Sequence, residues 1–334
     1  MRFSAAGLLA ALCALISCQH SAYAPWPREL APGTVRHYSC RKISDSTQQL
    51  LANDISKLKK ELAALPKTDA GKVQGEDIQK KISSLEFEQS QREGILLDGI
   101  LDEEEWDIAP WSEHFVDIEG THITNPRFGT WMKMLWDNDY LYVAAFLEEP
   151  HVWGTYNKRD MVVFHENDFE IFIDPQYEIF TGHEANHQSY YEIEFNVIGT
   201  VFDLYLTKEY RKGGIAHHEW NCEGLVGVLN SVGTQNNHKD EDTGWYVEIA
   251  IPFKCLRPPS TVQNDVTENI RDGLSPLEGD RWRINFSRVE WELEKVGTGY
   301  VKKPGTKEDN WVWSPQWAID MHRLEHWGIL TFID

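Results

Sequence analysis

Two hydrophobic periods divide the chain. Leu51, Ile55, Leu58, Leu62 and Leu65 are spaced 4, 3, 4 and 3 residues apart, and Ile78, Ile82 and Leu85 repeat the 4, 3 spacing. Such positions share one stripe of a helix. Pro66 lacks a backbone donor and clashes with the preceding turn, so it stops the first stripe, and the stretch around Gly71 to Gly75 is expected as a connecting loop. The pattern predicts an antiparallel helical hairpin inserted over 45–95, with each seam buried by the other. A coiled coil that docks a protein partner is the alternative.

From Leu97 onward the period becomes two. Leu141, Val143 and Ala145 alternate with Tyr140, Tyr142 and Ala144; Phe169, Ile171 and Ile173 alternate with Asp168, Glu170 and Phe172; Tyr191, Ile193, Phe195 and Val197 alternate with Tyr190, Glu192, Glu194 and Asn196. Further strands are expected at Trp245–Phe253, Arg281–Val289 and Trp327–Ile333, with turns at Asp137-Asn138-Asp139, Gly213-Gly214 and Pro258-Pro259. Short alternating strands without intervening helices predict an all-β fold over 96–334, an antiparallel β-sandwich with jelly-roll or immunoglobulin-like layers. Residues 25–44 read as a Pro-rich linker and a first strand at Arg36–Cys40. No repeat of solenoid or propeller length is visible.

Composition refines this division. Hydrophobic residues are 41% of the 334 and charged residues 25%, as in globular proteins. Lys and Arg number 32 against 53 Asp and Glu, a formal charge of −21 that repels phosphate backbones and argues against a nucleic-acid partner. Residues 45–94 carry 8 basic and 9 acidic side chains, so the acidic excess lies elsewhere. Thirteen of the 14 Trp fall between Trp106 and Trp327. Arg2 followed by the apolar run Ala5–Ile16, too short to span a bilayer, predicts a signal peptide over 1–24. Leu15-Ile16-Ser17-Cys18 has the form of a bacterial lipobox that would lipidate Cys18, whereas Ala22-Tyr23-Ala24 offers ordinary cleavage. The expected location is secreted or in the cell envelope, with no transmembrane segment.

Few motifs survive their context. His183-Glu184-Ala185-Asn186-His187 fits H-E-x-x-H, but zinc binding needs both His on one helix face, and the pentapeptide lies between β-patterned segments beside Gly182. Asp137, Asn138 and Asp139 resemble the start of a calcium loop without its later Gly and Glu, and read as a turn. Asn285-Phe286-Ser287 is a mid-strand glycosylation acceptor expected to stay unmodified. Nucleophile-elbow, P-loop and dinucleotide motifs are absent. Beyond the signal, Cys40, Cys222 and Cys255 allow one disulfide whose pairing spacing cannot choose.

Glu192 and Glu194, with Glu170 on another strand, form an acidic row. Residues i and i+2 share a sheet face about 7 Å apart. That row suits a solvated outer face, acceptance of hydrogen bonds from sugar hydroxyls, or a hydrolase or lyase acid/base pair. Asn196 and Asn285 extend polar faces, and Trp311 and Trp313 share one side of an extended segment, either packed in the core or presented to a pyranose ring.

Leu97-Asp98-Gly99 with Leu101-Asp102-Glu103 and Trp106, Asp139–Ala145, Asn167–Pro175, Tyr190–Asn196, Arg283–Trp291, Trp313–Gln316, Met321-His322 and Trp327-Gly328 together resemble family-9-like carbohydrate-binding modules over 97–334. The resemblance implies a noncatalytic β-sandwich that binds sugar and serves polysaccharide-degrading enzymes, which are the implied partners. It implies a terminal sugar clamped between two Trp, with Glu170 as a contacting carboxylate. Here His165 stands where one clamp Trp is expected, Glu194 falls near a basic contact and reverses its charge, and Trp311 or Trp313 is the nearest substitute for the second clamp. The carbohydrate-binding residues expected are His165, Glu170, Glu192, Glu194, Asn196, Asn285, Arg288, Trp311 and Trp313. Calcium in some relatives is structural, and its ligands are not assigned by sequence. The negative charge favours a neutral glycan.

Overall fold

The computed structural model describes residues 29–43, 48–66, 69–89, 95–178, 189–262 and 273–334. The strands are β1 (His37–Lys42), β2 (Val116–Asp117), β3 (Thr130–Trp136), β4 (Tyr140–Glu148), β5 (Asp168–Glu178), β6 (Tyr190–Asn196), β7 (Val201–Leu206) and β8 (Ala216–His217). They continue with β9 (Val226–Val232), β10 (Gly244–Pro252), β11 (Arg281–Glu290), β12 (Leu293–Val296), β13 (Gly299–Lys302), β14 (Asp309–Val312) and β15 (Gly328–Ile333). One curled sheet runs in the order β8-β7-β6-β5-β11-β15-β1-β3-β4-β10-β9, with β14 pairing β11 and β2, while β12 and β13 form a separate ribbon.

The sheet is mixed, which corrects the expectation of an antiparallel one. β1 lies parallel to both β15 and β3, and the other ladders are antiparallel. Antiparallel neighbours come from short hairpins. β1 is joined to neither flanking strand by a tight turn, so local chain geometry does not set its direction.

Curling brings two halves of the sheet face to face. Met132, Val143, Trp245 and Ile249 of β3, β4 and β10 share one buried core with Phe169, Ile171, Ile193 and Phe286 of β5, β6 and β11. These are the apolar members of the two-residue period. The other face of β4 is also covered, because Tyr140, Tyr142 and Ala144 pack with Ile43, Leu97 and Trp106. The β3–β4 turn is an Asx arrangement: Asp137 Oδ1 accepts from the Asp139 and Tyr140 amides at 2.8 and 2.7 Å.

Helices α1 (Gln48–Ala64) and α2 (Asp69–Gln89) follow β1. Ile55, Ile78 and Ile82 are buried in a small cluster flanked by Leu58, Leu62, Leu65 and Leu85. Gly71 to Gly75 lie inside α2 rather than in a loop. The strong helix formers Ala70, Lys72 and Gln74 carry the segment, and Gly75 sits against Leu62 and Leu65. Among the described residues no helix is long and apolar enough to cross a membrane.

Among the described residues Cys222 and Cys255 form a disulfide and Cys40 is a buried free thiol. The bridge spans 33 residues of sequence and ties the approach to β9 to the end of β10. Loop-closure entropy for that span gives a stabilisation of about 3–4 kcal/mol. The double variant Cys222→Ala/Cys255→Ala is expected to lose about that much in a chemical-denaturation curve; an unchanged midpoint would show that the bridge contributes little.

A second prediction concerns pH. Glu248 on β10 accepts from the Asp98 and Gly99 amides at 3.1 and 2.7 Å and from Trp106 Nε1 at 3.0 Å. Glu103 accepts from the Leu96 amide at 3.1 Å. Burial, aided by repulsion from Glu103, pushes Glu248 up to about 8. Burial likewise pushes Glu103 up to about 7. The folded chain therefore holds these protons after the unfolded chain has released them, and stability falls as pH rises through this range. Thermal melts from about pH 5 to 8 should show a falling midpoint, with a shallower slope in Glu103→Gln. An identical slope would remove this pair as a cause.

A buried carboxylate face as candidate functional site

The ladders bring the acidic row together. Glu170 on β5 is opposite Glu194 on β6, Phe172 is opposite Glu192, and Asp168 is opposite Asn196. Ser287 on β11 faces Glu170 from the other side. Since Phe169, Ile171, Ile193 and Phe286 occupy the core, the two-residue period turns Asp168, Glu170, Glu192, Glu194 and Ser287 onto the opposite face.

This face is not solvated. Asp168 and Glu194 are 0% exposed, Glu170 5% and Glu192 7%. A second apolar layer lies on the same side, built from Phe172, Tyr190, Phe202, Leu204, Val163, Leu324 and Trp327. Val163 comes from the short 3-10 turn Val163–His165, and Leu324 from a similar turn at Leu324–His326.

The carboxylates are close and poorly satisfied. Asp168, Glu170 and Glu194 each offer an oxygen within 4.8 Å of the others. Asp168 Oδ1 accepts from the Val289 amide at 3.1 Å, whereas Asp168 Oδ2, Glu192 Oε2 and both Glu194 oxygens have no hydrogen-bond partner. Burial, followed by repulsion from Glu192, pushes Glu170 up to about 8. Burial, together with repulsion among the acids, also pushes Asp168 and Glu194 well above the usual carboxylate range.

Arg288, expected at the sugar site, is instead interior. Its Nη2 donates to Glu149 Oε2 at 3.0 Å and to Glu290 Oε2 at 2.8 Å. Nη1 donates to the Glu148 carbonyl at 2.8 Å and to Thr130 Oγ1 at 3.2 Å. The guanidinium also lies over the rings of Phe128 and Trp311. Asn196 and Asn285 are occupied by the fold too. Asn196 Nδ2 donates to the Tyr156 carbonyl at 2.8 Å and to Glu166 Oε2 at 3.2 Å, while its Oδ1 accepts from the Thr200 amide at 2.9 Å. Asn285 exchanges two 2.9 Å bonds with the Ser314 backbone.

Trp311 and Trp313 do point to one side, but that side is the core. They are 3% and 0% exposed. Trp313 packs on Phe286 and against Gly328, where an added Cβ would fall 2.1 Å from the indole. Trp153 is buried as well. Alternation fixes which residues share a face but not which face turns inward at a short strand such as β14.

The exposed aromatics are others. Tyr210 is 45% exposed, and its ring meets His322 edge-on at 4.6 Å. His322 Nδ1 lies 2.6 Å from the Tyr190 hydroxyl. Burial and repulsion from Glu192 push both phenols up, Tyr210 to about 12. Tyr210, His322 and Tyr190 thus lead from the surface toward Glu192. His165 is exposed and packs edge-on with the half-exposed Phe164 at 4.7 Å. Sequence reasoning missed Tyr210 and His322 as site residues. The signal for Tyr210 was a lone aromatic among Lys208, Glu209, Arg211 and Lys212, where no apolar period needs it. The H-e-x-x-H pentapeptide 183–187 lies outside the described residues.

A curled sheet whose two halves pack face to face over one core defines the β-sandwich class. The chain belongs to the carbohydrate family 9 binding domain-like family, whose profile matches residues 97–275. Strands β11 and β15 fall outside that match but complete the same sheet. Among solved structures it is similar to a carbohydrate-binding module family 9 protein from Caldicellulosiruptor kristjanssonii in complex with cellotriose, at 14% identity and TM-score 0.42, covering 72% of this chain and 90% of that one. A glucose complex from the same organism gives 14% identity and TM-score 0.43, covering 72% and 91%. A carbohydrate-binding protein described from Bacteroides uniformis gives 11% identity and TM-score 0.48, covering 90% and 100%. No curated protein matches.

Because Trp313 fills the core, Trp313→Ala is expected to destabilise the fold by about 3–5 kcal/mol. Denaturant titration checks this, and a loss below about 1 kcal/mol would place the indole outside the core.

Proposed function

We propose that the protein is an exported, noncatalytic glycan-binding module acting beside carbohydrate-degrading enzymes. The observation that carries this reading is the exposed Tyr210 ring beside His322, backed by Tyr190 and Glu192. A pyranose presents an apolar C–H face to an aromatic ring and hydroxyl donors to carboxylate oxygens. Glu170 and Glu194 act from beneath as part of the acidic floor, and His165 with Phe164 forms a second aromatic edge. Arg288, Asn196, Asn285, Trp311 and Trp313 shape this face from inside rather than touching ligand. The formal charge of −21 favours a neutral glycan over an acidic polysaccharide.

Signal-driven export, with lipidation at Cys18 or cleavage after Ala24, places the module in the envelope or medium. Helices α1 and α2 then form an inserted antiparallel hairpin that buries its own seams and leaves the binding face unchanged.

Titration of the mature chain against neutral and acidic glycans tests the reading. Saturable binding of a neutral glycan is expected, weakened about tenfold or more in Tyr210→Ala, the scale of losing one good aromatic contact. Absence of saturable binding by the wild type overturns the proposal, and equal affinity of Tyr210→Ala moves the contact elsewhere.

A further inference from the structure

Two segments far apart in sequence meet around Tyr210. The first is the β7–β8 connection, whose short 3-10 turn Tyr210–Lys212 is closed by the Lys212 and Gly213 amides, which donate to the Glu209 and Tyr210 carbonyls at 2.9 Å. Gly214 keeps that turn tight, since an added Cβ would fall 1.8 Å from the Lys208 carbonyl oxygen. The second segment is the loop 320–326, which carries His322 and ends in the turn Leu324–His326.

The Tyr210 ring does not fix itself. It is 45% exposed and meets His322 edge-on at 4.6 Å, a contact that holds a ring weakly. Arg211, the next residue, supplies a stronger tie. Its Nε donates to Glu209 Oε2 at 2.6 Å, and its Nη2 donates to Glu325 Oε1 and Oε2 at 2.6 and 2.7 Å. Hydrogen bonds between two charged groups are the stronger kind, and the planar guanidinium fixes direction as well as distance. The neighbouring charges stay local. Lys212 Nζ returns to Glu209 at 2.9 Å, while Arg323 and His326 approach Glu325 at 3.5 and 3.9 Å from its own loop. Arg211 instead spans 114 residues of sequence. The pairs 210–322 and 211–325 are thus adjacent cross-links between the same two segments.

We infer that Arg211 is a positioning residue: its contacts with Glu209 and Glu325 hold the Tyr210 turn against the His322 loop and set the angle of the exposed ring. The consequence for affinity rests on the glycan reading of Tyr210, since a ring already in place costs a ligand less to bind. The positioning itself is visible without any ligand. Arg211 and Glu325 are 41% and 42% exposed, so salt screens their pair. Affinity for a neutral glycan therefore falls with salt although the sugar carries no charge.

The test uses the full mature chain. In the aromatic NMR spectrum without ligand, Tyr210→Ala gives the His322 ring protons their positions free of the Tyr210 ring current, and a His322→Gln spectrum assigns them. Arg211→Gln and Glu325→Gln should each move these resonances toward the Tyr210→Ala positions. The double variant should move them no further, as expected for two ends of one interaction. Glu325→Gln leaves the Arg211–Glu209 contact in place, so it carries the test alone if melts show that Arg211→Gln does not fold. Titrated with neutral glucose, xylose, mannose and galactose oligosaccharides, both variants should bind about two- to fivefold more weakly than wild type, the scale of an exposed ion pair. Raising NaCl from about 0.05 to about 1 M should weaken the wild type by a similar factor and leave Arg211→Gln unmoved. Wild-type resonance positions in both variants overturn the inference, and so does wild-type affinity in both. Displaced resonances without saturable binding by the wild type remove only the glycan reading.

Discussion

The acids of β5 and β6 have no freedom to choose their face. Phe169, Ile171, Ile193 and Phe195 are needed in the core between the two halves of the curled sheet, and the two-residue period then sends Asp168, Glu170, Glu192 and Glu194 to the other side together. In a simple sandwich that side meets water. Here it is roofed by Val163, Phe202, Leu324 and Trp327. A second buried layer over a charged row is the constraint on which the raised pKa values, the unpartnered oxygens and the placement of Tyr210 and His322 all depend.

The same molecule shows what a settled buried acid looks like. Glu149 and Glu290 share Arg288, whose remaining donors reach a carbonyl and a hydroxyl. Glu166 accepts from the Thr155 and Tyr156 amides, the Thr155 hydroxyl and Asn196. Each of these acids has hydrogen-bond partners, although burial and repulsion from Glu290 still push Glu149 well above the usual carboxylate range. Only a few ångströms of backbone separate Glu166 from Asp168, where satisfaction stops. Since unsatisfied buried carboxylates cost far more than paired ones, burial and mutual repulsion hold protons on this cluster above the usual carboxylate range.

Much of this was legible in sequence because it is local. The 4, 3 seam located α1 and α2, the alternation located β4, β5, β6, β10, β11 and β15, and the shared face of Glu170, Glu192 and Glu194 followed from strand period alone. What was not legible depends on distant chain. The parallel seating of β1 requires knowing that β15 and β3 flank it. The roof over the acids comes from residues 163 and 324, far from either strand. Trp311 in β14 and Trp313 just after it share one side as alternation predicts, yet their inward orientation is set by the pairing of β14 with β11 and β2.

The Trp surplus takes a different meaning in this light. Of the described indoles, Trp106, Trp131, Trp136, Trp153, Trp220, Trp245, Trp282, Trp311, Trp313 and Trp327 are buried, and Trp111, Trp291 and Trp317 are half-buried. Several N–H groups donate to backbone carbonyls: Trp136 to Ile333, Trp220 to Arg257, Trp291 to Phe164 and Trp327 to Met321. An indole thus fills volume between curved strands and, through one polar atom, fastens a loop or terminus that no ladder reaches. Trp291 holds the turn carrying Phe164 and His165, and Trp327 holds the segment carrying His322. Trp shapes the acidic face by anchoring its rim, while smaller and more exposed rings, Tyr210 foremost, stay at its surface.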